Sequence, residues 1–419
     1  MSYISNQIFI SDDPRIKTLS SAFFNRSISD VCKNPNARYD TFYSCELKKI
    51  VKPYNQHKTG TCWLQAGMSM ISTLLLSKNI KIKPSITYLM FYDKLERCEV
   101  FYERVVRQNN ILDERTHWHL MKEPIFDGGS WSMFVFLLKK YGIVTHKSYP
   151  QTYQSKNTRQ LNRVLSKFLR ISSCRILKLN KELQEEAIKD DMNKIQRILT
   201  ICLSSPPNTI TLTNEQNGFE YSGSPIRLFD KFNEFIDIDS FISLMHAPIY
   251  LDKTKSNEFK RYAIFQSNDH TKLQQHIFHV ISMENIKKFC KKSLDDNVPV
   301  WFTATVTGGA DFSRKLMTCD ALDYESVFDM NFNITKEELM LCGHVAPSHA
   351  MMLIGYDPNW KVRNSWGKKN ANLLMSDDWF TNNVFEIVVH KKFVSNVILD
   401  MNSEIINLKP WDILSTVAY

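Results

Sequence analysis

Apolar residues recur at helical spacing through the first third of the chain. From Cys62 to Leu76, residues Leu64, Met68, Ile71, Leu74 and Leu75 are set mostly three and four positions apart, and Thr59-Gly60-Thr61 just before them offers a turn and a cap. The spacing predicts a buried helix that begins near Cys62. The same period runs through YLMFYDKLERCEVFYERVV and WSMFVFLLKKYG, the second ending at Gly142 after Lys139 and Lys140, as helix C-termini prefer. Residues 171–297 read differently. They mix a charged helical run, NKELQEEAIKDDMNKIQRIL, with strand-like NTITL and turns rich in Asn and Ser, which predicts an insertion or accessory subdomain. From Val298 the texture changes again, to short β-branched and aromatic runs: VPVWFTATV, HAMMLIGYD, WKVRNSWG and NVFEIVV. The last third is therefore strand-rich, and the whole is α+β. Residues 1–50 are mixed and polar, with KNPNARYD as a turn, and read as an arm wrapped on a larger body.

Composition narrows the class. The 419 residues allow two or three structural units, and 43% hydrophobic with 23% charged residues is enough for a sizeable core and too apolar for disorder. Lys plus Arg exceeds Asp plus Glu by 53 − 44 = 9, which points weakly to a polyanion partner and better fits a solvated basic surface. The N-terminus lacks the basic and continuous apolar regions of a secretory signal, so no export is expected. The nearest approach to a membrane segment, Met68 to Leu76, is short and broken by Ser and Thr. Nine cysteines, odd in number and scattered without CxxC pairs, fit reduced thiols in a cytoplasmic setting. His117 with His119 and His276 with His279 lack a third ligand at motif spacing, so neither a metal nor a cofactor is expected.

Three segments carry candidate chemistry: NQHKTGTCW (55–63), SHAMMLIGY (348–356) and WKVRNSWG (360–367). A cysteine at a helix N-terminus is favoured as thiolate, because unpaired amide donors and the macrodipole stabilise negative charge there. Cys62 is placed for this. His349, opening a strand, is the candidate base, and the amide oxygen of Asn364 on the next strand is the candidate orienting acceptor. Trp366 is placed to shield that bond from water. The oxyanion of acyl transfer needs preorganised donors, and Gln56 with the Cys62 backbone amide could form that pair.

This order of Gln, Cys-Trp, His-Ala and Asn-Ser-Trp-Gly resembles the papain-like cysteine peptidases. The segments SITYLMFYDKLERC, DGGSW, VWFTATV, DDWF and the terminal KPWDILSTVAY narrow the resemblance to the bleomycin hydrolase or aminopeptidase C family, over nearly the whole chain. The resemblance implies a papain-like two-subdomain fold. Residues 51–170 would be the helical nucleophile half, 171–297 the insertion, 298–400 the β-rich half, and 401–419 a C-terminal arm directed into the active-site cleft. It further implies a cytoplasmic homohexamer that removes N-terminal residues from short peptides through Cys62, His349, Asn364 and Gln56. Trp63, Gly128 and Gly129 would contact substrate, with Ala418 and Tyr419 at the arm's tip. Trp411 and Leu414 look like the arm's anchors.

The chain departs from the family pattern at three positions. Thr59 stands where papains place a disulfide cysteine, Gln65 replaces an aromatic or aliphatic residue of the nucleophile helix, and Arg363 precedes Asn364 where Glu is usual. A rival reading remains: a non-catalytic basic ring of six chains, 6 × 9 = +54, binding nucleic acid or another polyanion.

Overall fold

The computed structural model describes residues 13–110, 113–214, 219–248, 258–263, 276–306, 309–330, 335–343, 346–401 and 403–415. Its first wall is helical. The helix Cys62–Ser77 is buried along nearly its whole length, and a helix buried in this way is covered on every side. The helices Ile86–Tyr102 and Trp131–Tyr141 and the strands of the second wall supply that cover. Ser85 and Ser130 cap these two helices through their side chains, each accepting from a backbone N–H in the first turn.

The second wall is a mixed sheet of twelve strands among the described residues. At its centre, Val300–Ala304 lies between His349–Tyr356 and Val384–His390, antiparallel to both. Trp360–Trp366 and Asn370–Met375 continue beyond His349–Tyr356. On the other side follow Phe241–Met245, Ile277–Val280, Arg261–Ala263 and finally Ile405–Asn407. The strand His349–Tyr356 is buried for seven of its eight residues, which explains its unbroken apolar sequence.

Residues 171–297 are not a separate unit in this architecture. The helix Arg159–Ile176 runs through residue 170 without a break. Its Leu161, Leu165 and Leu169 pack against Ile188, Ile195 and Leu199 of the helix Lys181–Leu203, and both pack against the Ile86–Tyr102 helix in one apolar cluster. The later part, Phe241 to Val280, instead adds strands to the same sheet that carries His349. The segment is thus shared between the two walls, because each of its amphipathic elements buries its apolar face on a different neighbour. Residues 13–50 lie along the β-rich side: Cys45–Glu46 pairs with Gly355 and Tyr356, and Asn34 bonds to the backbone of Asp320 and Ala321.

One buried ion pair ties the helical wall together. Lys94, fully buried on the Ile86–Tyr102 helix, reaches Asp127 Oδ1 at 2.6 Å and the Phe126 carbonyl at 2.7 Å. Asp127 also accepts from the Gly60 backbone N–H at 3.0 Å, from Asn162 at 2.8 Å and from the Thr158 hydroxyl, while its own carbonyl accepts from Trp63 Nε1 at 2.7 Å. Burial works to raise the carboxyl's pKa, but the Lys94 charge and these donors prevail and hold it well below the usual range. Replacing Lys94 by Met leaves an uncompensated buried carboxylate. The variant is expected to lose ~3–5 kcal/mol of unfolding free energy by urea denaturation, and a loss below ~1 kcal/mol would show that the pair is not structural.

Candidate active site

Cys62 is the first residue of its helix and has no exposed surface. The preceding turn is held from two sides. Gly60 is pinned to Asp127, and the Thr59 hydroxyl donates to the Gln56 carbonyl at 2.7 Å and lies 2.7 Å from the Thr61 hydroxyl. Thr61 occupies the N-cap but makes no side-chain cap bond, because its hydroxyl is engaged by Thr59. The expected side-chain cap is therefore replaced by a threonine pair.

Across the junction of the two walls, the backbone N–H of Ala350 donates to Cys62 Sγ at 3.4 Å. His349, the residue before it, pairs with Ala304 at the end of its strand. Its Nε2 lies 2.9 Å from Asn364 Oδ1, which also accepts from the Ser365 N–H at 2.7 Å. An amide oxygen is an acceptor, so this contact places the imidazole proton on Nε2 and leaves the Nδ1 lone pair available. The Trp366 ring stands 5.0 Å from the imidazole at 34°, with Phe312 edge-on to it at 4.6 Å. Asn364 is 2% exposed, so its bond to the imidazole is made away from bulk water.

Gln56 is bonded to the same strand as Asn364. Its backbone N–H donates to the Ser365 carbonyl at 2.8 Å, and its Oε1 accepts from the Ser365 hydroxyl at 2.6 Å. Its Nε2 donates to the Thr59 carbonyl at 2.8 Å, and an amide nitrogen retains a second N–H beyond that bond. The carboxamide is thus held at both ends. Sequence reading had named Gln56 from its place in the motif alone. The roles of Thr59 and Ser365 were missed, although Ser365 adjoins Asn364 in that motif.

Burial opposes charge on both members of the Cys62–His349 pair. Burial pushes the Cys62 thiol up to about 12, outweighing the backbone N–H groups of Ala350, Trp63 and Cys62 that pull it down. Burial likewise pushes His349 down to about 4, against the opposing bond to Asn364. Both shifts favour the neutral thiol and neutral imidazole. The helix terminus does act in the direction anticipated, but desolvation in a fully covered site is the larger effect.

Trp63 and Gly129 pack against each other. Trp63 has no exposed surface, and a Cβ added to Gly129 would lie 2.3 Å from its indole. Gly129 is glycine because the indole occupies that space. Gly128 is also buried, and its carbonyl accepts from Arg97, which itself pairs with Asp93 at 2.9 Å and stacks on Phe126. Ala418 and Tyr419 lie outside the described residues. Of the other two departures, Gln65 is 2% exposed and reaches back to the Thr61 hydroxyl at 3.5 Å, so it faces the helix's own first turn. Arg363 is half-buried, and its Nε has no hydrogen-bond partner among the described residues. No group of three or more His, Cys, Asp and Glu side chains is placed to hold a metal ion among the described residues. Nor is any described helix long and apolar enough to cross a membrane.

A helical wall presenting a cysteine at a helix N-terminus, against a sheet wall presenting hydrogen-bonded His and Asn, is the architecture of a papain-like cysteine peptidase. The chain belongs to the Peptidase C1-like family, whose model matches residues 5–415. It is 28% identical to aminopeptidase G of Lactobacillus delbrueckii subsp. lactis, with 96% of each chain covered. It is 29% identical to aminopeptidase C of Listeria innocua, covering 97% of this chain and 96% of that one. Identity to bleomycin hydrolase of Homo sapiens is 27%, over 98% and 96% of the two chains. The crystal structure of PepW from Lactobacillus rhamnosis HN001 superposes with a TM-score of 0.87 at 25% identity, over 97% of this chain and 96% of that one.

Neutral burial of His349 has a consequence for stability. The imidazole titrates near 6.5 when unfolded and near 4 when folded, so between those values the unfolded chain binds the extra proton. The stability contributed by neutral His349 is complete above about pH 6.5 and is lost as pH falls toward about 4, a change of ~3 kcal/mol. Unfolding free energies of wild type and His349→Gln, measured in urea at about pH 7 and about pH 4.5, should differ less in acid. A difference that is the same at both pH values would contradict neutral burial.

Proposed function

We propose that this chain is a cysteine aminopeptidase acting on short peptides, with Cys62 as nucleophile, His349 as general base and acid, Asn364 as orienting acceptor and Gln56 as oxyanion donor. The observation that carries the reading is the contact of the two walls at Cys62: the nucleophile helix meets the strand of His349, whose imidazole is already bonded to Asn364. Relatives named aminopeptidases and bleomycin hydrolase, aligned over almost the full chain, support the substrate class.

In this mechanism the Cys62 sulfur attacks the substrate carbonyl while His349 Nδ1 takes the thiol proton. The imidazolium then formed is stabilised by Asn364 Oδ1, and the oxyanion by the free N–H of Gln56 and the Cys62 backbone amide. His349 returns the proton to the leaving amine, the bond to that amine breaks, and the acyl group stays on Cys62 as a thioester. Water, deprotonated by His349, hydrolyses the thioester and restores the thiol.

Exopeptidase action rests on the C-terminal arm. A chain end parked in the non-primed subsites would block long substrates, and its carboxylate would attract a free amino terminus. The course of the described arm supports this direction. After Ile405–Asn407 extends the sheet, Leu408 and Leu414 pack with Phe126, Met340 and Phe385, and Trp411 stacks under Arg115 at 4.2 Å. Phe126 directly precedes Asp127-Gly128-Gly129, and Gly128 is proposed to flank the bound peptide. We further propose a cytoplasmic homohexamer. The nine cysteines, all free, accord with a reducing compartment, and the hexamer follows from family resemblance.

Fluorogenic aminoacyl amides, free and N-blocked, test the reading. Wild type should cut the free substrates alone, Cys62→Ala should be inactive, and Gln56→Ala should lose ~10²–10³ in kcat. A chain lacking residues 416–419 should gain activity on N-blocked peptides. Cleavage of blocked peptides by the intact chain would remove the arm-gated reading, and a light-scattering mass of one chain, 49.0 kDa, would remove the hexamer.

A further inference from the structure

The helix Lys336–Leu341 begins with a side chain that the proposed chemistry does not use. Lys336 is 3% exposed. Its Nζ donates to the Val384 carbonyl at 2.6 Å and the His246 carbonyl at 2.8 Å, and lies 3.2 Å from His246 Nδ1 and 4.0 Å from the centre of the Phe385 ring. No carboxylate forms an ion pair with it among the described residues. The nearby acids are engaged elsewhere: Glu338 accepts from Thr335 in a capping box, and Glu386 faces His276 at 3.1 Å. An amine buried without a counter-ion, at the positive end of a helix, carries a desolvation cost that its hydrogen bonds must offset. Burial accordingly pushes this amine well below its ordinary range. What the amine supplies and a methyl group could not is donation to two carbonyls.

Those carbonyls lie beside a bulge in the sheet. Val384 pairs with Ala304 and Glu386 with Thr303, so Phe385 is the extra residue, and such a site leaves ladder groups without strand partners. Ala304, the partner of Val384, is also the partner of His349. The chain that leads from the Lys336 helix to His349 is fastened to this same region at its other end. The Ala346 carbonyl accepts from the Thr305 hydroxyl at 2.5 Å, and the Ser348 N–H donates to the Ala304 carbonyl at 3.1 Å. The segment thus starts at Val384 and ends at Ala304, two residues paired across the ladder, with His349 immediately after it.

We propose that Lys336 is a positioning residue for His349, clamping the Phe385 bulge and the start of the segment that enters the His349 strand. The clamp fixes the row Val384–Ala304–His349 and thereby the placement of the imidazole relative to Cys62. This rests on the reading of His349 as the base.

The test compares wild type, Lys336→Met, Lys336→Gln and His349→Ala on a free aminoacyl amide, with thermal unfolding and the pH profile of Cys62 alkylation by iodoacetamide measured for each. Lys336→Met should still fold, with a lowered Tm because two buried carbonyls lose their donor, and keep KM within about two-fold. It should lose about ten-fold or more in kcat, and its alkylation profile should shift. Lys336→Gln, whose amide can still donate to a carbonyl, should recover part of the lost kcat. Wild-type kcat in a folded Lys336→Met overturns the proposal, as does a kcat loss that tracks a fall in Tm with the alkylation profile unmoved. Failure of Lys336→Met to fold, with Lys336→Gln at wild-type kcat and profile, assigns the amine a purely structural role and overturns it too. An active His349→Ala would remove the underlying functional reading, and the proposal with it.

Discussion

The carboxylate of Asp127 is the point on which the helical wall depends. It takes the charge of Lys94 from one helix, the amide of Asn162 from another, and the backbone N–H of Gly60 from the turn that launches Cys62. Its backbone carbonyl fixes the Trp63 indole. A buried ion pair seldom adds net stability over apolar packing, because removing both charges from water offsets their attraction. What it adds here is direction. Hydrogen bonds have narrow geometry, and five of them converging on one residue determine where the nucleophile turn sits relative to the Asp127-Gly128-Gly129 segment.

The second wall is organised by a different principle. Its His349–Tyr356 strand is buried on both faces, and polar fasteners as well as packing place His349. Asn364 fastens the ring, Ser365 links the same strand to Gln56, and the Ala350 N–H reaches across to the Cys62 sulfur. The arm closes the arrangement from the side. Its Leu408 and Leu414 pack on Phe126 of the helical wall and on Met340 and Phe385 of the sheet wall, so one apolar cluster touches the segments that precede both Gly128 and His349.

Much of the fold was legible in the chain because it depends on local periodicity. The helix from Cys62, the helix ending at Gly142 and the strand-rich last third are written in residue spacing, and the observed elements Cys62–Ser77, Trp131–Tyr141 and His349–Tyr356 correspond. The middle segment was harder. Its helix Lys181–Leu203 and its strands have ordinary amphipathic patterns, and a pattern states that a face is buried without stating against what. The sheet claimed one part and the helical wall the other. The packing of Gly129 was not legible for a similar reason: its neighbour is an indole 66 positions earlier in the chain.

By itself the sequence determined which residue types stand ready for acyl transfer, their order along the chain, and the helices and strands that carry them. Those properties follow from side-chain chemistry and from spacing of a few residues. Tertiary structure alone decided that Asp127 would gather partners 33, 35 and 67 residues away, that Ser365 would hold Gln56 from 309 residues away, and that Lys336 would lie buried at a bulge. It also set the burial that opposes charge on Cys62 and His349. A helix N-terminus favours the thiolate in any sequence, but desolvation depends on everything packed around the sulfur, and that is known when the chain has folded.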